Sequence, residues 1–207
     1  VLILSRYVFF ALYKVPLLEL GEYEATVAVI VPAKNESDAI YDTAKALRDV
    51  DYPKSKLKVI LINDGSDDDT GAWMDKCGKE FGHEVIHLTE NIGKREAIAV
   101  GMKQHNSELT ILVDSDSVVE SDAIKEGVRG FYSSKIGAVC GHTDVKNAKV
   151  NWLTRMQTQQ YFIAFRSFKS LESYFGSVIC CSGAFSIYRT NIIKSRMNEW
   201  LSQTFLG

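Results

Sequence analysis

The chain predicts an α/β fold: a mostly parallel sheet flanked by helices. Three observations carry that prediction. Short β-branched runs alternate with segments of helical period through residues 26–133. The first run, Thr26–Pro32 (TVAVIVP), is continuously apolar, as a strand buried on both faces should be. Polar clusters follow directly after the first, second and fourth runs, where an open α/β sheet places its ligand-binding edge.

The elements follow in order. After the first strand, Asp38–Val50 is helical by period, and Tyr52-Pro53 breaks it. Leu57–Asn63 (LKVILIN) is the second strand, Asp64–Thr70 a polar loop, and Thr70–Phe81 a helix that Gly82 ends. Glu84–Leu88 (EVIHL) is the third strand. Gly93 opens a helix to about His105, and Glu108–Val113 (ELTILV) is the fourth strand. Ser121 caps a helix to about Ser133, and Ile136–Gly141 is a fifth strand. Trp152 to about Phe175 is helical and aromatic-rich. A short apolar segment starts at Val178, and a helix lies near Asn191. No repeat or linker interrupts this series, so it reads as one domain.

Composition excludes several classes. With 24 Lys+Arg against 26 Asp+Glu, the 207 residues carry a formal net charge of −2. Bulk charge therefore implies no phosphate-neutralising surface, and no nucleic-acid partner is expected. Four Cys make no disulfide scaffold. A 46% hydrophobic content with 3 Pro argues against disorder. No run reaches the ~20 apolar residues of a membrane-spanning helix. Val1–Tyr13 (VLILSRYVFFALY) is apolar apart from Ser5 and Arg6. It reads either as a helix packed on the domain, or as an interfacial helix or the tail of a membrane segment. Residues 1–24 are accordingly set apart as a membrane-proximal or interfacial segment.

The post-strand clusters suggest chemistry. Asp114-Ser115-Asp116 puts two carboxylates one residue apart at a strand end, within reach of one hard cation such as Mg2+ or Mn2+. The same residues also suit a helix entry. Asp64 can accept from a nucleobase N–H or ribose hydroxyls. The residues after it equally suit a turn, with Asp68 or Asp69 capping the next helix. Gly93-Lys94-Arg95-Glu96 opens a helix with two cations, which suits an anion or a solvated helix end. No Walker A loop and no Gly-x-Gly-x-x-Gly occur. His83-Glu84-Val85-Ile86-His87 spells the zinc-protease pattern, but Gly82 and Val85-Ile86 favour a strand over the helix which that chemistry needs. Cys180-Cys181-Ser182-Gly183 offers thiols and a small backbone that a ligand can approach, or a packed strand with a bend.

Taken together, Val31-Pro32-Ala33-Lys34-Asn35-Glu36, Asn63-Asp64-Gly65-Ser66-Asp67-Asp68-Asp69-Thr70, Gly93-Lys94-Arg95-Glu96 and Asp114-Ser115-Asp116 resemble, in order and spacing, the family 2 glycosyltransferases. Further on, Gly141-His142, Leu153-Thr154-Arg155, Cys181–Arg189 (CSGAFSIYR) and Gln203–Gly207 (QTFLG) look like the processive hyaluronan synthases. Phe175–Cys181 (FGSVICC) looks at least as much like the chitin-oligosaccharide synthases. Departures are Ser167-Phe168-Lys169, where relatives usually have Val-Glu-Arg, and Gly183-Ala184, where most have Gly-Pro.

The resemblance implies a GT-A nucleotide-sugar-binding fold over residues 25–207, incomplete at the C-terminus. It implies inverting transfer from UDP-sugars (UDP-GlcNAc, with UDP-glucuronate for hyaluronan) to a growing polysaccharide. Donor-side residues would be Ala33, Glu36, Asp64, Lys94, Arg95 and Asp114. Asp116 with Asp114 would hold Mg2+ or Mn2+, and Ser182 and Gly183 would lie near the acceptor. The resemblance also implies a plasma-membrane protein whose catalytic domain faces the cytoplasm. The family's Gly-Asp-Asp general base and Gln-x-x-Arg-Trp segment follow the Phe-Leu-Gly motif, past Gly207, so the catalytic base is expected outside these residues.

Overall fold

All seven residues of β1 (Val27–Ala33) are buried, because helices cover both faces of the sheet that β1 centres. The computed structural model describes residues 8–14 and 24–203. Their six strands form one sheet in the order β3-β2-β1-β4-β6-β5, with β2 (Leu57–Asp64), β3 (Glu84–Leu88), β4 (Leu109–Val113), β5 (Ala138–Cys140) and β6 (Phe185–Arg189). β1, β2, β3 and β4 pair in parallel.

Alternation along the strands sorts the core into two layers. Val27, Val29 and Val31 face α1 (Ala39–Asp49), α2 (Thr70–Phe81) and α4 (Ala123–Arg129), packing with Ile40, Leu47, Met74, Ile124 and Val128. Ile30, Ile60 and Ile62 face the other way, onto α3 (Lys94–Lys103), packing with Ala97, Ile98 and Met102. Each large aliphatic side chain buried this way contributes roughly 1.5–3 kcal/mol. Gly82 ends α2 in the left-handed region at φ 76°, as the sequence predicts.

Three expectations are refined by the structure. The segment after Val178 contains a strand, β6, which runs antiparallel to both β4 and β5. β4 and β5 both oppose β6, so they share one direction with a gap between them, and β6 fills it by running the other way. The predicted helix from Trp152 is not uniform. α5 (Trp152–Tyr161) widens into π-helical geometry over Phe162–Phe168 before α6 (Lys169–Tyr174). The helix near Asn191 is two short pieces, α7 (Thr190–Ser195) and α8 (Met197–Leu201).

Among the described N-terminal residues, 8–12 are helical. Phe9 stacks against Tyr174 and Phe175 at ring distances of 5.0 and 5.2 Å, and Phe10 meets Phe162 at 6.2 Å. These residues therefore pack on α5–α6. The rest of residues 1–24, apart from 13, 14 and 24, lies outside the described residues, as does Thr204–Gly207 of the QTFLG motif. No described helix is long and apolar enough to cross a membrane.

Candidate functional site

β1 pairs with β2 on one side and β4 on the other, so the loops leaving β1 and β4 diverge and open a crevice at their carboxyl ends. Ala33 closes β1 at 4% exposure. Across the crevice, the Ser115 hydroxyl donates to Glu36 Oε1 at 2.8 Å, and the Thr43 hydroxyl donates to the Ser115 carbonyl at 2.7 Å. Glu36 thus joins the β1 loop to the β4 loop.

The β1 and β2 loops are also locked together. Asn35 and Ser37 take left-handed φ values of 55° and 46°, costly for residues with side chains. Hydrogen bonds hold them there. The Asn35 amide donates to Ser66 Oγ at 3.0 Å, and Asn35 Oδ1 accepts from the Asp67 amide at 3.0 Å. Thr70 Oγ1 accepts from the amides of Glu36 and Ser37, both at 2.8 Å, and donates to Asp68 Oδ1 at 2.5 Å. Asp68 also accepts from the Thr70 amide, just before the helix; Asp69, at the N-cap position, makes no side-chain cap and instead takes the Trp73 indole N–H. Hydrogen bonds from Thr70, then from Ser37, hold the Asp68 carboxyl below its usual range. Sequence reasoning missed Thr70, which is fully buried. The signal was there: a threonine at a helix start, behind three aspartates.

Asp64 closes β2 beside the crevice. It is 4% exposed, and its oxygens accept from the amides of Ile92 (2.8 Å) and Gly93 (3.1 Å). It therefore fixes the loop that launches α3. Gly65 is required beside it. Its φ is +60°, and a Cβ there would sit 2.4 Å from the Asn91 nitrogen.

That loop delivers Lys94, the first residue of α3, to the crevice. Lys94 Nζ lies 2.5 Å from Asp114 Oδ1, with side-chain exposures of 59% and 30%. So exposed a pair contributes at most about 1 kcal/mol to stability. It places a movable cation beside a carboxylate at the switch point. Gly183 closes the same wall: a Cβ there would lie 3.1 Å from Asp114 Oδ1. Ser182, next to it, donates its amide to Cys140 Sγ at 3.4 Å. The structure thus brings Lys94, Asp114 and Gly183 together, with Ser182 alongside and the exposed Asp116 two residues beyond Asp114.

Arg95 does not join them. Its Nη1 donates to the carbonyls of Trp200 (3.1 Å) and Gln203 (2.7 Å), and its guanidinium lies 5.8 Å from the Trp200 ring. One residue is a turn of about 100° on a helix, so neighbours at a helix start point to different faces. Arg95 clamps the C-terminal helix, and the anion-binding expectation rests on Lys94 alone.

The donor set suits a hard divalent cation. Asp114 and Asp116 supply only carboxylate oxygens, and Asp114 is partly open to solvent. One or two carboxylates, completed by water and phosphate, is how Mg2+ is commonly held. Among the described residues no three His, Cys, Asp or Glu side chains converge as a ready cage. His83 and His87 form no zinc site. His83 pairs with the Ala44 carbonyl, whereas His87, in β3, pairs with Asn63 and Asp75.

Comparison with known proteins places this geometry. An N-acetylglucosaminyltransferase of Azorhizobium caulinodans is 32% identical over 184 residues, covering 87% of this chain and 46% of that protein. A hyaluronan synthase of Streptococcus pyogenes is 27% identical over 195 residues, covering 89% and 45%. The chain therefore spans about half the length of the curated relatives it matches. A mannosyltransferase from Pyrobaculum calidifontis, solved with GDP-Man and Mn2+, superposes with a TM-score of 0.75 at 20% identity, covering 93% of this chain and 53% of that one. S. aureus TarS 1-349, solved with UDP-GlcNAc, superposes with a TM-score of 0.60 at 21% identity, covering 83% and 47%. Both confirm the GT-A fold expected from the motifs. The profile of Glycosyl transferase family 2 matches residues 28–196, and this chain belongs to that family.

Proposed function

We propose that this chain is the donor-binding part of an inverting glycosyltransferase that moves sugar from a UDP-sugar onto a growing polysaccharide. The carrying observation is the Lys94–Asp114 pair at the switch point, walled by Gly183 and flanked by Asp116. Asp116, with Asp114, would hold Mg2+ or Mn2+, which supplies charge neutralisation for a diphosphate leaving group. Lys94 leaves Asp114 and takes the diphosphate oxygens. Glu36 and Ser115 keep the β1 and β4 loops at a fixed separation, and Asp64 keeps α3 aimed at the crevice. Ser182 and Gly183 border the acceptor. An acceptor hydroxyl attacks the anomeric carbon from the face opposite the departing UDP, which inverts the centre. The general base for that hydroxyl is expected outside residues 1–207.

UDP-GlcNAc is the donor the relatives' names support most directly. The hyaluronan synthase likeness supports a second donor, UDP-glucuronate. A polymer of GlcNAc alone is the alternative. Residues 1–24 form a membrane-proximal segment, and the site faces the cytoplasm, where UDP-sugars are made. The test supplies membranes from cells expressing the natural gene with each labelled donor, singly and together. Polymer requiring both donors establishes the hyaluronan-type reaction, and polymer from UDP-GlcNAc alone the chitin-type. No transfer from either donor contradicts the proposal.

A further inference from the structure

Gly183 borders Asp114 from the loop that joins α6 to β6, and a loop holds such a place only where other elements tie it down. At its far end β6 does so, since Phe185 pairs with Val113 in the antiparallel register. At its near end two side chains of α6 do so. Lys169 Nζ donates to Glu172 Oε2 at 3.1 Å and to the Cys180 carbonyl. Glu172 Oε2 also accepts from the Ile179 amide at 3.3 Å, and the Glu172 carbonyl accepts from the Ser177 amide at 3.0 Å. One base and one acid thus bind three backbone groups of the loop, at Ser177, Ile179 and Cys180. Their side chains are each 21% exposed, against 59% and 30% for Lys94 and Asp114. Solvent therefore screens this pair less, and its charge-assisted hydrogen bonds hold better than those of an open surface pair. Further along, the Ser182 amide rests on Cys140 Sγ at 3.4 Å, and a thiol sulfur is a weak acceptor. The α6 pair is the stronger of these two anchors.

We propose that Lys169 and Glu172 are positioning residues for sugar transfer: they set the separation between the Ser182-Gly183 backbone and Asp114, and so where the acceptor stands relative to the donor. The inference rests on the transferase reading above. Without the ammonium, the Cys180 carbonyl loses its partner and the Glu172 carboxylate loses its counter-charge. The carboxylate then turns to water and releases the Ile179 amide, and the loop is tied mainly through β6. The donor side loses nothing directly. Lys94 lies on α3, Asp114 and Asp116 follow β4, and the hydrogen bonds of the α6 pair run to each other and to the loop. In-line attack is sensitive to placement, and an error of about 1 Å can cost on the order of 100-fold in rate. Transfer is therefore expected to fall while nucleotide binding holds. An arginine at position 169, the residue relatives usually carry there, presents a fork of donors that can serve both Glu172 and the Cys180 carbonyl.

The test uses Lys169→Met, which keeps the apolar stem and removes the charge, Glu172→Gln as a second, milder variant, and Lys169→Arg as the rescue. On the 207-residue chain, amide hydrogen exchange over residues 177–183 is expected to quicken at least tenfold in Lys169→Met, less in Glu172→Gln, and to return to the wild-type rate in Lys169→Arg. UDP affinity in the presence of Mn2+ is expected to stay within about twofold in all three. In membranes carrying the natural gene product, Lys169→Met is expected to lower the maximal rate of polymer formation at least tenfold, with KM for UDP-GlcNAc within about twofold, and Lys169→Arg to restore the rate. Unchanged exchange over 177–183 overturns the proposal. So does a Lys169→Met protein that transfers at the wild-type rate, or one whose UDP affinity falls as far as its transfer rate. Wild-type membranes that transfer from neither donor contradict the transferase reading instead, and the exchange rates then decide alone whether the α6 pair holds the loop.

Discussion

Replacing Asp64 by Ala removes a carboxylate that accepts two backbone amides in a nearly closed site. A hydrogen bond to a charged group contributes about 1.5–3 kcal/mol. Two such bonds put the expected loss at about 3–6 kcal/mol. That is a large share of the roughly 5–15 kcal/mol that stabilises a domain. Asp64→Asn keeps one carbonyl acceptor and should cost about half as much. Urea unfolding followed by circular dichroism measures both, with an unchanged slope confirming that the same surface unfolds. The order wild type, Asn, Ala in midpoint supports the assignment. If Asp64→Ala unfolds within about 0.5 kcal/mol of wild type yet loses UDP affinity, Asp64 is a ligand contact and the anchoring argument fails.

Further substitutions separate binding from stability. Lys94→Ala removes an exposed ion pair, so stability should change by less than about 1 kcal/mol while UDP affinity falls at least tenfold by calorimetry. Gly183→Ala puts a Cβ 3.1 Å from the Asp114 carboxylate, and should weaken metal-dependent UDP binding without lowering the thermal midpoint. Stability should also depend on pH through His105, which is 5% exposed and whose ring is pushed down to about 4, chiefly by burial. The unfolded chain binds a proton there near 6.5, so between about pH 6.5 and 4 it binds more protons than the folded state. The contribution is therefore complete above about pH 6.5 and declines as pH falls towards 4, by about 3 kcal/mol. Urea midpoints at pH 7 and pH 4.5 should show the decline, and His105→Gln should flatten it.

What the sequence disclosed was what depends on short-range pattern. β1, β2 and β4 were readable because strands buried on both faces carry long apolar runs; the edge strand β3 was readable from its β-branched Val85-Ile86 just after Gly82. The helix ends at Gly82 and Gly93 were readable because glycine takes the positive φ those ends require. Ligand-side residues could be ranked because this topology puts them after strands. β6 was harder: the run FSIYR alternates plainly enough, but its direction depends on β4 and β5, more than 40 residues away in sequence. Arg95 was misplaced for the same reason, since its partners lie 105 and 108 residues later. Asp64 shows a third limit. A buried acceptor after a strand serves a ligand or a loop equally well until the position of the loop amides is known.

Divalent-cation-dependent UDP binding at Asp114 and Asp116 tests the central claim most directly. Calorimetry of UDP, with and without Mn2+, on the wild-type chain and on Asp116→Ala is the measurement. The account predicts binding that needs Mn2+ and an affinity at least tenfold weaker in the variant, equivalent to about 1.4 kcal/mol. Equal binding by the two chains, or wild-type binding indifferent to Mn2+, contradicts it.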